Sequence, residues 1–218
     1  MQLTRQLAAK GNTIYATARR PDSAKELLKL AETSNVIVTK LDVSSPSSIT
    51  DWARDIASKT QHVDLLINNA GILENTGLDG VSWDEMSRLM ETNAFGPLFV
   101  VQALHRHRLL GGSAGNSLVV NMTSKMGSVS DNGMGSYYSY RASKAALNII
   151  TKSLSIDLAG QGISAVVLHP GFVKTDMVNG MGNIDAATSA AGLIRQMEKG
   201  NKAINGKFLG WNDECIPW

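Results

Sequence analysis

The chain has 218 residues, of which 43% are hydrophobic and 18% charged, a composition typical of one globular domain. Its 21 basic and 19 acidic residues give a net charge of +2, which is too balanced to indicate a nucleic-acid or membrane-surface partner. The single cysteine, Cys215, excludes an intrachain disulfide and a cysteine-rich metal cluster. The histidines do not share a helix face at metal-binding spacing, so no metal site is expected.

The chain contains no apolar run that approaches the roughly 18 residues of a membrane span, and its start lacks the apolar core of a signal peptide. A cytoplasmic location is therefore the default prediction, although an upstream targeting segment would change it.

Short apolar segments rich in β-branched residues alternate with segments of helical periodicity along the whole chain. The predicted strands are 13–17, 36–39, 63–67, 117–121, 165–168 and 207–209. The predicted helices are 23–33, 48–59, 83–109, 140–158 and 186–199. Because the strands are continuously apolar, the pattern predicts an α/β fold, a doubly wound parallel sheet with helices on both faces.

The helices carry local signals for their ends and for one distortion. Plausible caps of helix N-termini are found in Ser44-Ser45-Pro46, at Ser82 and at Asp185. Gly96-Pro97 lies inside the longest helical segment, so a kink is expected there. Asn93, three residues earlier, is either a polar residue on the solvent side or a neighbour of a freed backbone carbonyl.

The pattern Tyr140-Arg141-Ala142-Ser143-Lys144 is the most informative one for chemistry. On a helix, residues i and i+4 share a face, so the phenol of Tyr140 can approach the ammonium of Lys144. A tyrosine that transfers protons near neutral pH needs its pKa lowered by about 3 units, and a neighbouring cation in a partly dry cleft can supply that shift. Ser124 and Asn69 follow predicted strands, where doubly wound folds place ligand-binding residues.

These residues resemble the short-chain dehydrogenase/reductase family, and the resemblance covers nearly the whole chain as one domain, 1–218. Asn68-Asn69-Ala70-Gly71, Asn93, Ser124, Tyr140 with Lys144, and Pro170-Gly171 occur in the family's order. The resemblance implies that Tyr140 donates a proton to the substrate carbonyl and that Ser124 holds the carbonyl oxygen. It implies that Lys144 lowers the pKa of Tyr140 and binds the nicotinamide ribose, and that Asn93 positions a water molecule.

The resemblance also implies a Rossmann-like fold and a nicotinamide cofactor. Arg19 and Arg20 follow the first predicted strand, where NAD users of the family usually carry an acidic residue. A guanidinium there can bind the 2′-phosphate of NADP, so NADP is the expected cofactor, although either arginine alone is also a common solvated strand end. The other implied cofactor contacts are Asp42 at the adenine, Asn69 at the adenosine, and Val173 and Thr175 at the nicotinamide carboxamide.

The family's domain opens with a strand and a glycine-rich turn that holds the pyrophosphate, and this sequence has neither. It begins instead in what resembles the following helix, with Leu3, Leu7 and Ala8 on one face and Gly11 as its stop. The domain is therefore expected to be incomplete at its N-terminus. Since the absent strand lies in the middle of the family's sheet, the sheet is expected to be split.

Two classes of function follow from these residues. The first is an NADP-dependent oxidoreductase that reduces a small or hydrophobic aldehyde or ketone, since the finer resemblance is to C-factor-like carbonyl reductases. In that case the loops 125–139 and 177–184 are expected to form adaptable apolar walls around the substrate. The alternative is a non-catalytic pseudoenzyme or interaction protein that has lost dinucleotide binding.

Under both functions a homodimer is expected, because the helices 83–109 and 140–158 resemble those that form homodimers in the family. A sugar-nucleotide epimerase is a third, less favoured class, because little chain remains for a substrate domain.

Overall fold

The computed structural model of the protein describes residues 1–112 and 115–218, and within them six strands form two separate parallel sheets. The smaller sheet pairs β1 (Ile14–Ala18) with β2 (Val36–Lys40). The larger sheet has the order β3 (Leu65–Asn68), β4 (Ser117–Met122), β5 (Ile163–His169) and β6 (Phe208–Gly210). All six predicted strands are confirmed, and so is the prediction that the sheet is split.

The helices also follow the predicted pattern. They are α1 (Gln2–Ala9), α2 (Lys25–Ala31), α3 (Pro46–Ala57), α4 (Trp83–Met90), α5 (Gly96–Arg106), α6 (Tyr138–Asp157), α7 (Ala186–Met197) and the short α8 (Asn201–Ile204). The predicted caps are confirmed, since Ser45 accepts from Ser48 N–H and Ser82 accepts from Glu85 N–H. The carboxylate of Asp185 accepts from two amides in the first turn of α7. None of the helices in the described ranges is long and apolar enough to cross a lipid bilayer.

The larger sheet separates two apolar layers, as a doubly wound fold requires. Alternate residues of β4 point to opposite faces, so Val119 joins a core with α3 and α5, whereas Leu118 and Val120 join another. That second core includes Leu193 of α7. The whole of β4 is buried on both faces, so its apolar residues run consecutively from Leu118 to Val120 instead of alternating with exposed polar ones.

Next to the position of the expected kink, a π-helical turn, Glu91–Phe95, separates α4 from α5. Gly96 follows it and lies against the loop after β2, where a Cβ atom would come within 2.6 Å of Val43 O. Asn93 lies inside this turn with no exposed surface, so its placement on the solvent side of the helix is wrong.

Helix α1 packs against α7 and lies over the boundary between the two sheets. Gln6 Nε2 donates to Ala187 O at 3.0 Å, and Lys10 forms an ion pair with Glu198 at 2.8 Å. Leu3 packs on the core that also contains Leu65 of β3. The helix therefore connects the smaller sheet to the larger one through side-chain contacts, in the absence of backbone pairing between them.

Candidate active site

The residues predicted for the site gather at the carboxyl ends of the strands. Asn68 ends β3, Ser124 lies two residues beyond β4, and His169 ends β5. A cavity of about 2220 Å³ opens along this edge. Its lining includes the predicted residues Asn69, Ser124, Tyr140, Lys144, Val173 and Thr175. Of the described residues predicted for the site, Arg19, Asp42 and Asn93 lie outside this lining.

Tyr140 and Lys144 share one face of α6, as their spacing predicts. Lys144 Nζ lies 5.8 Å from the centre of the Tyr140 ring. The ammonium is buried and donates to Met122 O at 2.8 Å, which ties α6 to the last residue of β4. The backbone of the central strand thus sets the position of the lysine, and the helix sets the position of the tyrosine beside it.

The pKa values of this pair are governed mainly by burial. Burial raises the pKa of the Tyr140 phenol above its usual value, and the Ser124 hydroxyl acts in the opposite direction. Burial lowers the pKa of Lys144 to about 8. For Tyr140 the direction of the pKa shift is therefore opposite to the lowering expected from the sequence, because desolvation outweighs the hydrogen bond to Ser124. At neutral pH the phenol carries its proton, which is the form that a proton donor needs.

Ser124 is held by the short turn that follows it. Its hydroxyl caps a 3-10 turn, Lys125–Gly127, by accepting from Met126 N–H at 3.2 Å. Gly127 then packs directly on α6, where a Cβ atom would lie 2.8 Å from the Lys144 backbone. A glycine is required at this position because any side chain would push the turn, and Ser124 with it, away from the helix.

Asn93 joins the loop after β3 to α6 through its amide side chain. Its Oδ1 accepts from Ile72 N–H at 2.9 Å, and its Nδ2 donates to Ile72 O at 2.9 Å and to Ser143 Oγ at 3.0 Å. A Cβ atom on Gly71 would lie 3.3 Å from Asn93 Oδ1 and 3.5 Å from Lys144 Nζ. The side chain of Asn93 therefore fixes the backbone that borders Lys144, a role that the sequence analysis did not identify.

Buried polar side chains behind the site form two further chains of hydrogen bonds. Asn68 Nδ2 donates to Asn121 Oδ1 at 2.8 Å, and Asn121 Nδ2 donates to Thr151 Oγ1 at 2.7 Å. Thr123 Oγ1 donates to Asn148 Oδ1 at 2.6 Å, and Asn148 Nδ2 donates to Gly127 O at 3.1 Å. Sequence reasoning missed these links, although amides within otherwise apolar strands were a usable signal.

The residues predicted for the adenosine end of the cofactor lie at the ends of β1 and β2. The Asp42 carboxylate accepts from Ser44 N–H at 3.0 Å and from Ser44 Oγ at 2.7 Å. These hydrogen bonds, together with the nearby charge of Arg19, hold the pKa of Asp42 below its usual value. Arg19 and Arg20 are both exposed. The structure thus brings Arg19 close to Asp42 and leaves its guanidinium accessible to a ligand.

The open side of the cavity is lined by apolar side chains, two of them methionines. Met134 is 87% exposed and Met181 60% exposed, and both line the cavity with Phe172. His169 lies deeper, and burial lowers its pKa to about 4, so its imidazole is neutral at physiological pH. The prediction that the loops 125–139 and 177–184 border one cleft agrees with this lining.

Comparison with known proteins gives consistent matches. The sequence profile described as short chain dehydrogenase matches residues 1–185. The C-signal protein of Myxococcus xanthus is 39% identical over 162 residues, which cover 73% of this chain and 95% of that protein. A 1-hydroxy-2-glutathionyl-2-methyl-3-butene dehydrogenase of Rhodococcus sp. (strain AD45) is 30% identical over 99% of this chain and 93% of its own. Among solved structures, the NADPH-bound carbonyl reductase from chicken fatty liver is 32% identical and superposes with a TM-score of 0.92, covering 100% of this chain and 93% of its own.

Proposed function

Because the chain belongs to the short-chain dehydrogenase family, we propose that it reduces the carbonyl group of a small or hydrophobic aldehyde or ketone, with NADP as its cofactor. The observation that carries this proposal is that Ser124, Tyr140 and Lys144 all line one cavity. The resemblance to a carbonyl reductase that was solved with NADPH supports both the reaction class and the cofactor.

Several of the chain's own residues are suited to bind the two ends of a nicotinamide dinucleotide. The ammonium of Lys144 has three donors and makes one hydrogen bond, to Met122 O, which leaves donors for ribose hydroxyls. Val173, Thr175 and Asn69 line the same cavity. Arg19 offers an exposed guanidinium for the 2′-phosphate, and Asp42 beside it offers a carboxylate for the adenine. The bound cofactor would supply the hydride.

The proposed roles of the polar residues follow from their protonation states. The protonated phenol of Tyr140 donates its proton to the carbonyl oxygen, which Ser124 Oγ holds by a hydrogen bond. Lys144, with a pKa of about 8, is mostly charged at pH 7 and stabilises the phenolate that remains. Asn93 keeps the predicted task of positioning a water molecule, while its side chain holds the loop at Ile72.

The test is NADPH oxidation by the purified chain with a panel of aldehydes and ketones, comparing Tyr140→Phe with Tyr138→Phe. Tyr138 is a half-exposed tyrosine two residues earlier on α6, which makes it a matched control. Removing the proton donor should lower turnover by about 10²–10⁴-fold, whereas the control should change it less than about twofold. Equal loss in both variants, or turnover that survives in Tyr140→Phe, would contradict the proposed role.

One relative favours the alternative, a non-catalytic interaction protein of the same fold. The C-signal protein is named as a signal and not as an enzyme, and it matches at 39% identity. A fluorescence titration with NADPH, with NADH alongside, discriminates between the two: binding supports the reductase, and the absence of binding by the folded chain supports the alternative.

Self-association as a homodimer stays a prediction under either function. It is favoured by large apolar side chains exposed on α4, α5 and α6, namely Trp83, Phe99, Ile149 and Ile156. Exposed apolar clusters of this kind are typical of protein interfaces. Light scattering coupled to size-exclusion chromatography measures the mass directly, and a monomer at micromolar concentration would contradict the prediction.

A further inference from the structure

The turn that leads into α6 has an unusual backbone. Gly135, Ser136 and Tyr137 have φ angles of 66°, 57° and 53°, so three consecutive residues lie in the left-handed region. Glycine adopts this region freely, but a serine is uncommon there and a bulky aromatic residue is an outlier. A conformation of this kind persists only where neighbouring groups hold it, and such residues are concentrated at functional sites.

Arg141 is the neighbour that holds this turn. Its Nε donates to Gly135 O at 3.0 Å and to Ser136 O at 3.1 Å, and its Nη1 donates to Met126 O at 3.4 Å. The Arg141 N–H also donates to Tyr137 O at 2.8 Å. The planar guanidinium thus joins the two ends of the loop that leads into α6, and it fixes the backbone on which Tyr137 is carried.

The side chain of Tyr137 belongs to the wall of the cavity. It is half-buried and lines the cavity together with Tyr140, whereas the neighbouring Tyr138 lies outside this lining. Met134 and Phe172 line the same cavity. Aromatic rings attract other aromatic rings and thioether sulfur by more than the area that they bury. This part of the wall therefore suits a flat aromatic group better than a puckered aliphatic group of the same size.

We propose that Tyr137 is a specificity-determining residue whose ring contacts an aromatic group attached to the substrate carbonyl, and that Arg141 is the residue that positions it. The substrate class is then an aryl aldehyde or aryl ketone, with its carbonyl at Tyr140 and its ring against Tyr137. The inference rests on the proposed carbonyl reduction and narrows the substrate of that same site.

The probes are acetophenone and cyclohexyl methyl ketone, which share one carbon skeleton and differ in the flatness of the ring. The value of kcat/KM is measured for both ketones with NADPH. The ratio of acetophenone to the alicyclic ketone should fall by about fivefold in Tyr137→Leu, mainly through the KM of acetophenone, because one aromatic pair contributes about that factor. Tyr137→Phe keeps the ring and should keep the ratio. Tyr138→Leu is the matched control and should leave the ratio unchanged.

The variant Arg141→Lys tests the positioning role. A lysine keeps the charge but lacks the planar fork that reaches the carbonyl groups at both ends of the loop. The ratio should fall by about two- to fivefold, in the same direction as in Tyr137→Leu. A merely structural role would lower the turnover of both ketones equally and leave the ratio unchanged. Arg106→Lys, at an exposed arginine near the end of α5, is the control and should preserve the ratio.

A binding measurement separates this inference from the reductase reaction. Isotope-labelled tyrosine rings give NMR signals, and the signal of Tyr137 is the one that disappears in Tyr137→Phe. Acetophenone should shift the Tyr137 signal more than the Tyr138 signal, and cyclohexyl methyl ketone should shift it less than acetophenone does. This shift is expected whether or not the ketone is reduced.

The possible outcomes are distinct for the two proposals. A shift of the Tyr137 signal in a chain that reduces neither ketone would support the aromatic site and contradict the reductase. Turnover with a ratio that Tyr137→Leu leaves unchanged would overturn the inference while the reductase stands. An acetophenone titration that leaves the Tyr137 signal in place would also overturn the inference, with or without turnover.

Discussion

The larger sheet and the smaller sheet differ in how many of their residues are buried. In the larger sheet β4 is buried along its whole length, and amide and hydroxyl side chains behind it pair with one another. In the smaller sheet one residue of β1, Ala16, is buried, and α1 before it has none. The residues proposed to transfer the proton thus lie beside a fully packed sheet, whereas the residues predicted for the adenosine end lie on a two-stranded unit of a kind that is marginally stable alone.

This contrast shows where each part of the site obtains its geometry. Lys144, Ser124 and Asn93 are placed by buried hydrogen bonds to strand and loop backbone. Arg19 is exposed and is placed mainly by the end of its strand. Changes in the first region should therefore alter the folding stability and catalysis together, and changes in the second should alter ligand preference with little effect on stability.

The largest effect on stability is expected from Asn93→Ala. The truncation leaves the N–H and C=O of Ile72 and the hydroxyl of Ser143 without their partner in the interior. The free energy of unfolding should fall by about 2–4 kcal/mol, measured by urea denaturation. Asn183→Ala, at an exposed asparagine, is the control and should stay within about 0.5 kcal/mol. A loss below about 1 kcal/mol would contradict the view that buried hydrogen bonds stabilise the region around the larger sheet.

The next effect is a dependence of stability on pH that comes from Lys144. Its pKa falls from 10.5 to about 8 on folding, so between these values the unfolded chain binds more protons than the folded one. Stability should therefore rise with pH above 8, by roughly 1.5 kcal/mol up to pH 9.5. Urea denaturation across this range should show the slope in the natural chain and not in Lys144→Met. A slope of the opposite sign, or the same slope in both, would contradict the assignment.

A smaller effect is expected from Arg19→Ala in the other region. Loss of the guanidinium should weaken NADPH binding by about tenfold and leave NADH binding nearly unchanged, because only NADPH carries the 2′-phosphate. The measurement is a fluorescence titration of both cofactors. Arg20→Ala is the matched control, and an equal loss in the two variants would indicate a diffuse charge effect. The unfolding free energy should not change in either arginine variant, which distinguishes the smaller sheet from the larger one.

The smallest effect is expected from Asp185→Ala at the start of α7. The Asp185 carboxylate accepts hydrogen bonds from Ala187 N–H at 2.9 Å and Thr188 N–H at 2.8 Å, and its removal should cause a small loss of unfolding free energy. Asp185→Asn retains a capping side chain and should recover most of the loss. Because α7 also contacts α1, hydrogen exchange in α1 should rise more than in β4. Equal increases in both would show that the two regions unfold as one unit.

The alternation of strands and helices could be predicted from the sequence, because each strand is a short apolar run and the apolar residues of each helix recur with helical periodicity. The N-terminal caps at Ser45, Ser82 and Asp185 were readable for the same reason, since capping is decided within a few residues. The spacing of Tyr140 and Lys144 likewise determined that they share a helix face. These are local properties, and local sequence is sufficient for them.

Only the tertiary structure decided what depends on distant neighbours. The burial of Asn93 required the π-turn and the loop at Ile72, and the link from Asn68 to Thr151 required three elements to pack together. The direction of the Tyr140 pKa shift is set by how far packing removes the phenol from water, and the spacing of residues in the sequence does not give that burial. Sequence determines which groups can form a hydrogen bond or a strand, but the packing of separate elements decides which of them lose water, and desolvation sets their energies.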